Sequence, residues 1–114
     1  MSTKTTFSLS MKTQGSTALD VPVSPVGPNT ALYLTAVAVT RLSNGQMVAF
    51  EVSASAVRGA GGTALVSQKV QTQSPTACKL QVKLLGDILS FRLTGQHSTT
   101  AAWQIECVRY ENDQ

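Results

Sequence analysis

Apolar and polar residues alternate along much of the chain, and the alternation has a period of two. It is clearest in residues 48–56 and again in residues 101–107. A period of two is typical of a β-strand with one buried face, whereas an amphipathic helix needs a period near 3.6. No segment of the sequence has a convincing helical period. The pattern therefore predicts an all-β protein.

Six or seven strands follow from this pattern and from the turn residues between the alternating segments. Asn44-Gly45 and Gly86-Asp87 are pairs that favour tight hairpin turns. Short strands joined at regular intervals are typical of a β-sandwich, and 114 residues suit one domain. We expect a single antiparallel β-sandwich over residues 1–114. The predicted strands lie in residues 6–12, 31–39, 48–56, 63–70, 78–84, 89–94 and 101–108.

Prolines separate the first strand from the second. Three of the four prolines lie in residues 21–29. Proline lacks a backbone N–H and breaks a helix or a central strand. We expect an extended connector at about 21–29, and a polar loop over residues 71–77.

The strand over residues 31–39 is apolar at both alternating sets of positions. A strand of this kind is covered on both faces. One cover is the facing sheet, and a subunit interface can supply the other.

The surface composition is unusual for its low charge. Charged residues make up 13% of the chain, against about 25% in ordinary proteins. The nine Lys and Arg give a net charge of +3, but they are dispersed, so nucleic-acid binding is not expected. No apolar stretch approaches the roughly 20 residues of a membrane span, and the first residues do not open a signal peptide.

Few residues offer metal or redox chemistry. Cys78 and Cys107 lie far apart and the chain has one histidine, so no metal or cofactor site is predicted. We expect two buried free thiols. A disulfide is the alternative if the two cysteines face each other on neighbouring strands.

Catalytic residues are not predicted either. His97 lies in a polar loop, and no serine has a nucleophile motif around it. Glu51 and Glu106 are the two carboxylates within strands, and we interpret them as salt-bridge partners of Arg58 or Arg109 rather than as a glycosidase pair. An enzyme using His97 with a serine or a carboxylate remains an alternative.

Aromatic residues provide the candidate contact sites. Trp103 belongs to the apolar set of the last strand and is predicted to lie in the core. Tyr33, Tyr110 and His97 are the candidates for a subunit interface or for a glycan contact.

Two groups of residues resemble a β-domain of tailed-phage tail fibre and tail tip proteins. The first is Arg58, the glycine-rich residues 59–62 and the step Thr63-Ala64-Leu65-Val66. The second is Leu93-Thr94-Gly95, Thr100 and Trp103, followed by Ile105 and Val108. The resemblance covers about two thirds of the chain and is strongest in residues 89–103.

The resemblance implies a non-enzymatic virion protein, made in the host cytoplasm, that contributes to assembly or host attachment. It also implies a homo-oligomer, with a trimer favoured, and contacts with other virion proteins. A capsid decoration protein is one alternative, and a carbohydrate-binding module that recognises a host surface glycan is another.

Overall fold

The computed structural model describes residues 2–72 and 78–113. In these ranges the chain forms eight β-strands and no helix, and all strand pairs are antiparallel. The predicted antiparallel β-sandwich is confirmed, with eight strands in place of six or seven. The strands are β1 (Ser2–Gln14), β2 (Leu19–Pro25), β3 (Thr30–Leu42), β4 (Met47–Gly59), β5 (Gly62–Thr72), β6 (Lys79–Leu85), β7 (Ile88–Thr94) and β8 (Thr100–Asp113).

The two sheets differ in size. The larger sheet has five strands in the order β1-β8-β3-β4-β5, and the smaller has three in the order β2-β7-β6. Strands of the larger sheet have 11 to 14 residues, whereas each strand of the smaller sheet has 7. Strand β3 lies at the centre of the larger sheet, between β8 and β4.

Strand β2 was not predicted. The first part of the expected connector at 21–29 pairs with β7, and the register shifts between Pro22 and Ser24. The prolines are tolerated because β2 is at the edge of its sheet, where some backbone N–H groups need no strand partner. The connector is therefore extended as expected, but its residues up to Pro25 belong to a strand.

The core lies between the two sheets. Trp103 is 2% exposed, which confirms its predicted place, and its ring stacks on Phe50 with the centroids 5.7 Å apart. The indole Nε1–H donates a hydrogen bond to Thr13 Oγ1 at 3.0 Å, so the buried polar group is satisfied. Other large buried side chains are Phe91, Leu34, Leu42, Leu89, Leu93 and Ile105.

Both cysteines are buried and neither forms a disulfide, as predicted. Cys107 lies on the core side of β8. Burial raises the pKa of the Cys107 thiol from 9.0 to about 11, and the nearby Glu106 carboxylate adds a smaller effect in the same direction.

Arginines close one end of the sandwich. Arg58 donates a hydrogen bond to the Val26 carbonyl at 3.1 Å and lies 3.5 Å from an Asp87 carboxylate oxygen. Arg109 donates a hydrogen bond to Ser24 Oγ at 3.2 Å and lies 3.1 Å from a Glu111 carboxylate oxygen.

The predicted salt bridges of Glu51 and Glu106 with these arginines are therefore wrong. Glu51 is seven residues before Arg58, and Glu106 is three before Arg109. An odd spacing along a strand places two side chains on opposite faces of the sheet. Each arginine faces the core side, and each glutamate faces the other side.

No helix within the described ranges is long and apolar enough to cross a membrane.

Phe91→Ala is expected to lower the free energy of unfolding by about 3–5 kcal/mol, because it removes a ring that is 0% exposed and leaves a cavity. Urea unfolding followed by the fluorescence of Trp103, the only tryptophan, measures the change. Val66→Ala, at a side chain 62% exposed, is the control and should change stability by no more than about 0.5 kcal/mol. A loss below about 1 kcal/mol in Phe91→Ala would contradict the assigned core.

Cys107 is expected to react slowly with a disulfide reagent at pH 8 in a folded Cys78→Ala variant. Its raised pKa of about 11 lowers the thiolate fraction about 100-fold relative to the unfolded chain, and burial slows the reaction further. The raised pKa means that the folded state favours the protonated thiol, which adds to the free energy of unfolding. This contribution is present below pH 9 and is lost as the pH rises through about 11. Equal rates in buffer and in urea would show that the thiol is accessible.

Candidate interaction surface on the larger sheet

The larger sheet has one face that the smaller sheet does not cover, which we call the outer face. Along β3 its side chains are every second residue, and three of them are large and exposed: Tyr33 by 45%, Val37 by 51% and Val39 by 40%. The alternate residues of β3, from Leu32 to Leu42, are buried between the sheets. No part of the chain within residues 2–72 and 78–113 thus supplies the second cover predicted for this strand.

The outer face changes in character from its centre to its edges. Its central strand, β3, carries the exposed valines and a tyrosine. Edge strand β1 contributes Ser, Thr and Lys, and edge strand β5 contributes Ser67, Lys69 and Gln71. The face therefore has a row of apolar side chains along β3 and polar side chains along its two edge strands.

Tyr33 and Tyr110 lie directly opposite each other on β3 and β8. Their ring centroids are 6.2 Å apart with an interplanar angle of 36°, and Tyr110 is 43% exposed. Lys4 Nζ lies 5.9 Å from the centroid of the Tyr110 ring, within the range of a cation–π contact. The register of the sheet thus combines the two tyrosines into one aromatic site.

A shallow groove of about 360 Å³ runs along the two rings, and we call it the tyrosine groove. Its walls are largely apolar, since Ala31, Val57 and Val66 lie beside the tyrosines. Ser2, Ser55 and Asn112 add polar groups along it. A groove with aromatic and aliphatic walls and a few polar groups suits a protein side chain or a sugar ring.

His97 is not part of this site. It is exposed in the connection between β7 and β8, just before β8 begins at Thr100. Tyr110 is ten residues farther along that strand, which corresponds to about 33 Å. The structure therefore brings Tyr33 and Tyr110 together and places His97 at the opposite end of the sheet.

Two carboxylates lie on the outer face on either side of Val37, Glu106 on β8 and Glu51 on β4. Glu106 accepts hydrogen bonds from Ser8 Oγ at 2.6 Å and from Gln104 Nε2 at 3.1 Å. These two bonds hold the pKa of Glu106 below its usual value.

Among the described residues, no group of three or more His, Cys, Asp or Glu side chains is placed to hold a metal ion.

Several residues of this surface were not predicted as site residues, notably Lys4, Val57 and Val66. They join the tyrosines only through the register of five neighbouring strands. The double apolar character of residues 31–39 indicated a strand covered on both faces, with a subunit interface as one candidate cover, and Tyr33 and Tyr110 were predicted as candidate contacts.

Comparisons with known proteins find similarity among solved structures only. No protein-family model matches the sequence, and no curated protein matches it. Among solved structures, the chain is similar to the tailspike protein of Acinetobacter baumannii phage AM24, with a TM-score of 0.47 and 7% sequence identity. The match covers 99% of this chain but only 26% of the tailspike chain. Similarity at this level assigns neither a family nor a function.

Ser8→Ala is expected to raise the pKa of Glu106 toward its usual value of 4.5, because it removes the hydrogen bond that lowers this pKa most. An NMR titration of the Glu106 side-chain carboxyl carbon measures the shift. The lowered pKa of Glu106 stabilises the folded wild-type protein above pH 4.5. This contribution is lost as the pH falls through the pKa of Glu106 in the folded state. Thr6→Ala, on the same face of β1, is the control, and an unchanged Glu106 titration in Ser8→Ala would contradict the assignment.

Proposed function

We propose that this chain is a non-enzymatic structural protein of a tailed-phage virion. In this proposal it is a tail fibre or tail tip component that contributes to assembly or host attachment. The observation that carries a binding role is the outer face, where a strand with apolar residues on both sides has one side uncovered.

The tyrosine groove supports a binding role in particular. Monomeric proteins rarely expose a contiguous apolar patch of large size unless it contacts something. Tyrosines are enriched at the energetic centres of interfaces because a rigid ring buries much area at little entropic cost. Tyr33 and Tyr110 are both more than 40% exposed and are fixed beside each other by strand pairing.

The location in a phage tail is supported by the sequence resemblance alone. Most of the residues that carry the resemblance stabilise the fold and do not lie on the outer face. Trp103 and Leu93 are buried. A Cβ at Gly95 would lie 2.8 Å from the Gly15 carbonyl oxygen, so the tight packing of these two loops requires glycine there. These residues build the corner between β7 and β8, and the outer face is left for contacts.

Two other functions remain candidates. A capsid decoration protein would use the same fold and an equally broad contact surface. A carbohydrate-binding module is favoured by the tyrosine groove, because two tilted rings with serine and asparagine side chains nearby suit a host surface glycan.

Electron microscopy of phage particles labelled with an antibody against the chain tests the location. The proposal expects label confined to the tail. Label distributed over the head would instead indicate capsid decoration, and particles without label would exclude a virion protein.

Tyr33→Ala and Tyr110→Ala test the groove. Each is expected to weaken binding of the purified chain to particles that lack it by about 30-fold, the effect of losing one aromatic anchor worth about 2 kcal/mol. Tyr33→Phe keeps the ring and is the matched control. Leu85→Ala, at an exposed position in the smaller sheet, controls for general loss of surface. Unchanged binding in both alanine variants would contradict this role, and loss of glycan-array binding instead would favour the carbohydrate module.

A further inference from the structure

Two carboxylates on the outer face share one level of the sheet, the acidic level, and two cations share another, the basic level. Two further cations lie on this face: Lys69, opposite Ser53 and so near Glu51, and Lys4 at the tyrosine groove. The acidic level is that of Val37, with Glu106 on one side and Glu51 on the other. The basic level is that of Arg41, four residues farther along β3, or about 13 Å. Lys12 on β1 lies at the same level as Arg41, because both align with Ala102.

These charges form no ion pair within the described ranges, although Lys69 lines the same depression as Glu51. Over residues 2–72 and 78–113, Arg41 and Glu51 make no hydrogen bond or ion pair. Glu106 is bonded only to the neutral side chains of Ser8 and Gln104. An exposed cation and an exposed anion of this kind are available to a second surface.

We propose that a second copy of the chain packs on this part of the outer face, with a two-fold axis that crosses β3 at Val39. The axis is perpendicular to the strands, so that each β3 runs antiparallel to the other. Val39 then meets the partner's Val39. The partner's Arg41 lies over Val37, between Glu51 and Glu106, and the symmetric contact repeats the arrangement.

Other orientations oppose like charges. A two-fold axis parallel to the strands would place Glu51 over the partner's Glu106, since both are at the level of Val37. A threefold arrangement with β3 around the axis and parallel strands would bring the same carboxylates together. Like charges at an interface cost several kcal/mol. The charge pattern therefore favours the antiparallel pair over the threefold order that the sequence resemblance implies.

The available area suits a weak pair. With the axis at Val39, β1 and β8 overlap over about nine levels, β3 over about seven and β4 over about five, while β5 ends at Thr72, level with Ala38, and lies outside the contact. At about 3.3 Å a residue and about 4.8 Å between strands, the contact is roughly 480 Å² on each copy, smaller than the roughly 800 Å² of a standard interface and in the range of weak complexes. Aligned sheets also pack well, because their natural twist suits a crossing angle near −30°.

The pair rests on the proposed function, since it uses the same outer face, but it leaves the tyrosine groove free. The groove is at the end of β3 where Tyr33 lies, and the pair is centred at Val39. A dimer would therefore display two tyrosine grooves toward other partners.

Size-exclusion chromatography with light scattering of the full chain tests the pair. The wild type is expected at about 24 kDa, twice the 12.0 kDa of one chain. Arg41→Glu and Glu51→Arg should each raise the dimer dissociation constant at least about tenfold, because each places like charges together twice. An equal mixture of the two variants should form a mixed dimer, since one of its contacts is the wild-type contact and in the other the two reversed charges at positions 41 and 51 are again opposite.

Lys79→Glu makes the same charge reversal on the smaller sheet and is the control, with dimerisation unchanged. Recovery of the mixed dimer also shows that both variants are folded. A wild-type monomer at 100 μM, a wild-type trimer, or a mixture that stays monomeric would overturn the pair. Tail labelling is unaffected by such a result, so failure of the pair and failure of the proposed function are distinguishable.

Discussion

The face-to-face packing of two sheets is the constraint on which the rest of the structure depends, because each sheet covers one side of the other. Five long strands face three short ones, and the three short strands cover only one side of the larger sheet. The buried side holds Trp103 and Phe50, Phe91 of the smaller sheet lies in the same core, and burial of these rings stabilises the sandwich. The other side of the same strands is left in solvent, and there the chain places valines and tyrosines instead of a uniformly polar surface.

Strand β3 contributes both to the stability of the fold and to the binding surface. It is held between β8 and β4 over nearly its full length, so its side chains have fixed positions on both faces. The outer side chains are thereby preorganised, and little conformational entropy is lost when a partner contacts them. The same register aligns Tyr33 with Tyr110 and places the two carboxylates beside Val37. A binding surface built on a rigid sheet is broad and shallow, and the depressions along this one have that form.

The alternating pattern was sufficient to predict the fold class, because the side-chain period of a strand is set by local geometry. Strand β2 could not be predicted, since its prolines are tolerated only at an edge and edge positions depend on the tertiary arrangement.

The prediction of glutamate–arginine salt bridges was wrong for a local reason, the odd spacing of Glu51 from Arg58 and of Glu106 from Arg109. Tyr33 and Tyr110 were each identified as a candidate contact residue, but their pairing was not predicted. The two residues are 77 positions apart in the sequence, and no local pattern specifies the register that brings them together. The segment 71–77 was predicted as a polar loop, and residues 73–77 lie outside the described ranges, while Gln71 and Thr72 belong to β5.

The central claim is that the outer face of the larger sheet is the contact surface of this protein. Hydroxyl-radical footprinting with mass spectrometry tests it most directly, by comparing the purified chain at low concentration with the chain in assembled particles. The account predicts that Tyr33, Tyr110 and Met47 are oxidised in the free chain and protected in the particle; Met47 is 66% exposed and lies opposite Arg41 on the outer face. Leu85 and Ile88, exposed on the smaller sheet, should be oxidised equally in both. Equal oxidation of the two tyrosines and Met47 in free and assembled chains, or protection confined to the smaller sheet, would contradict the claim.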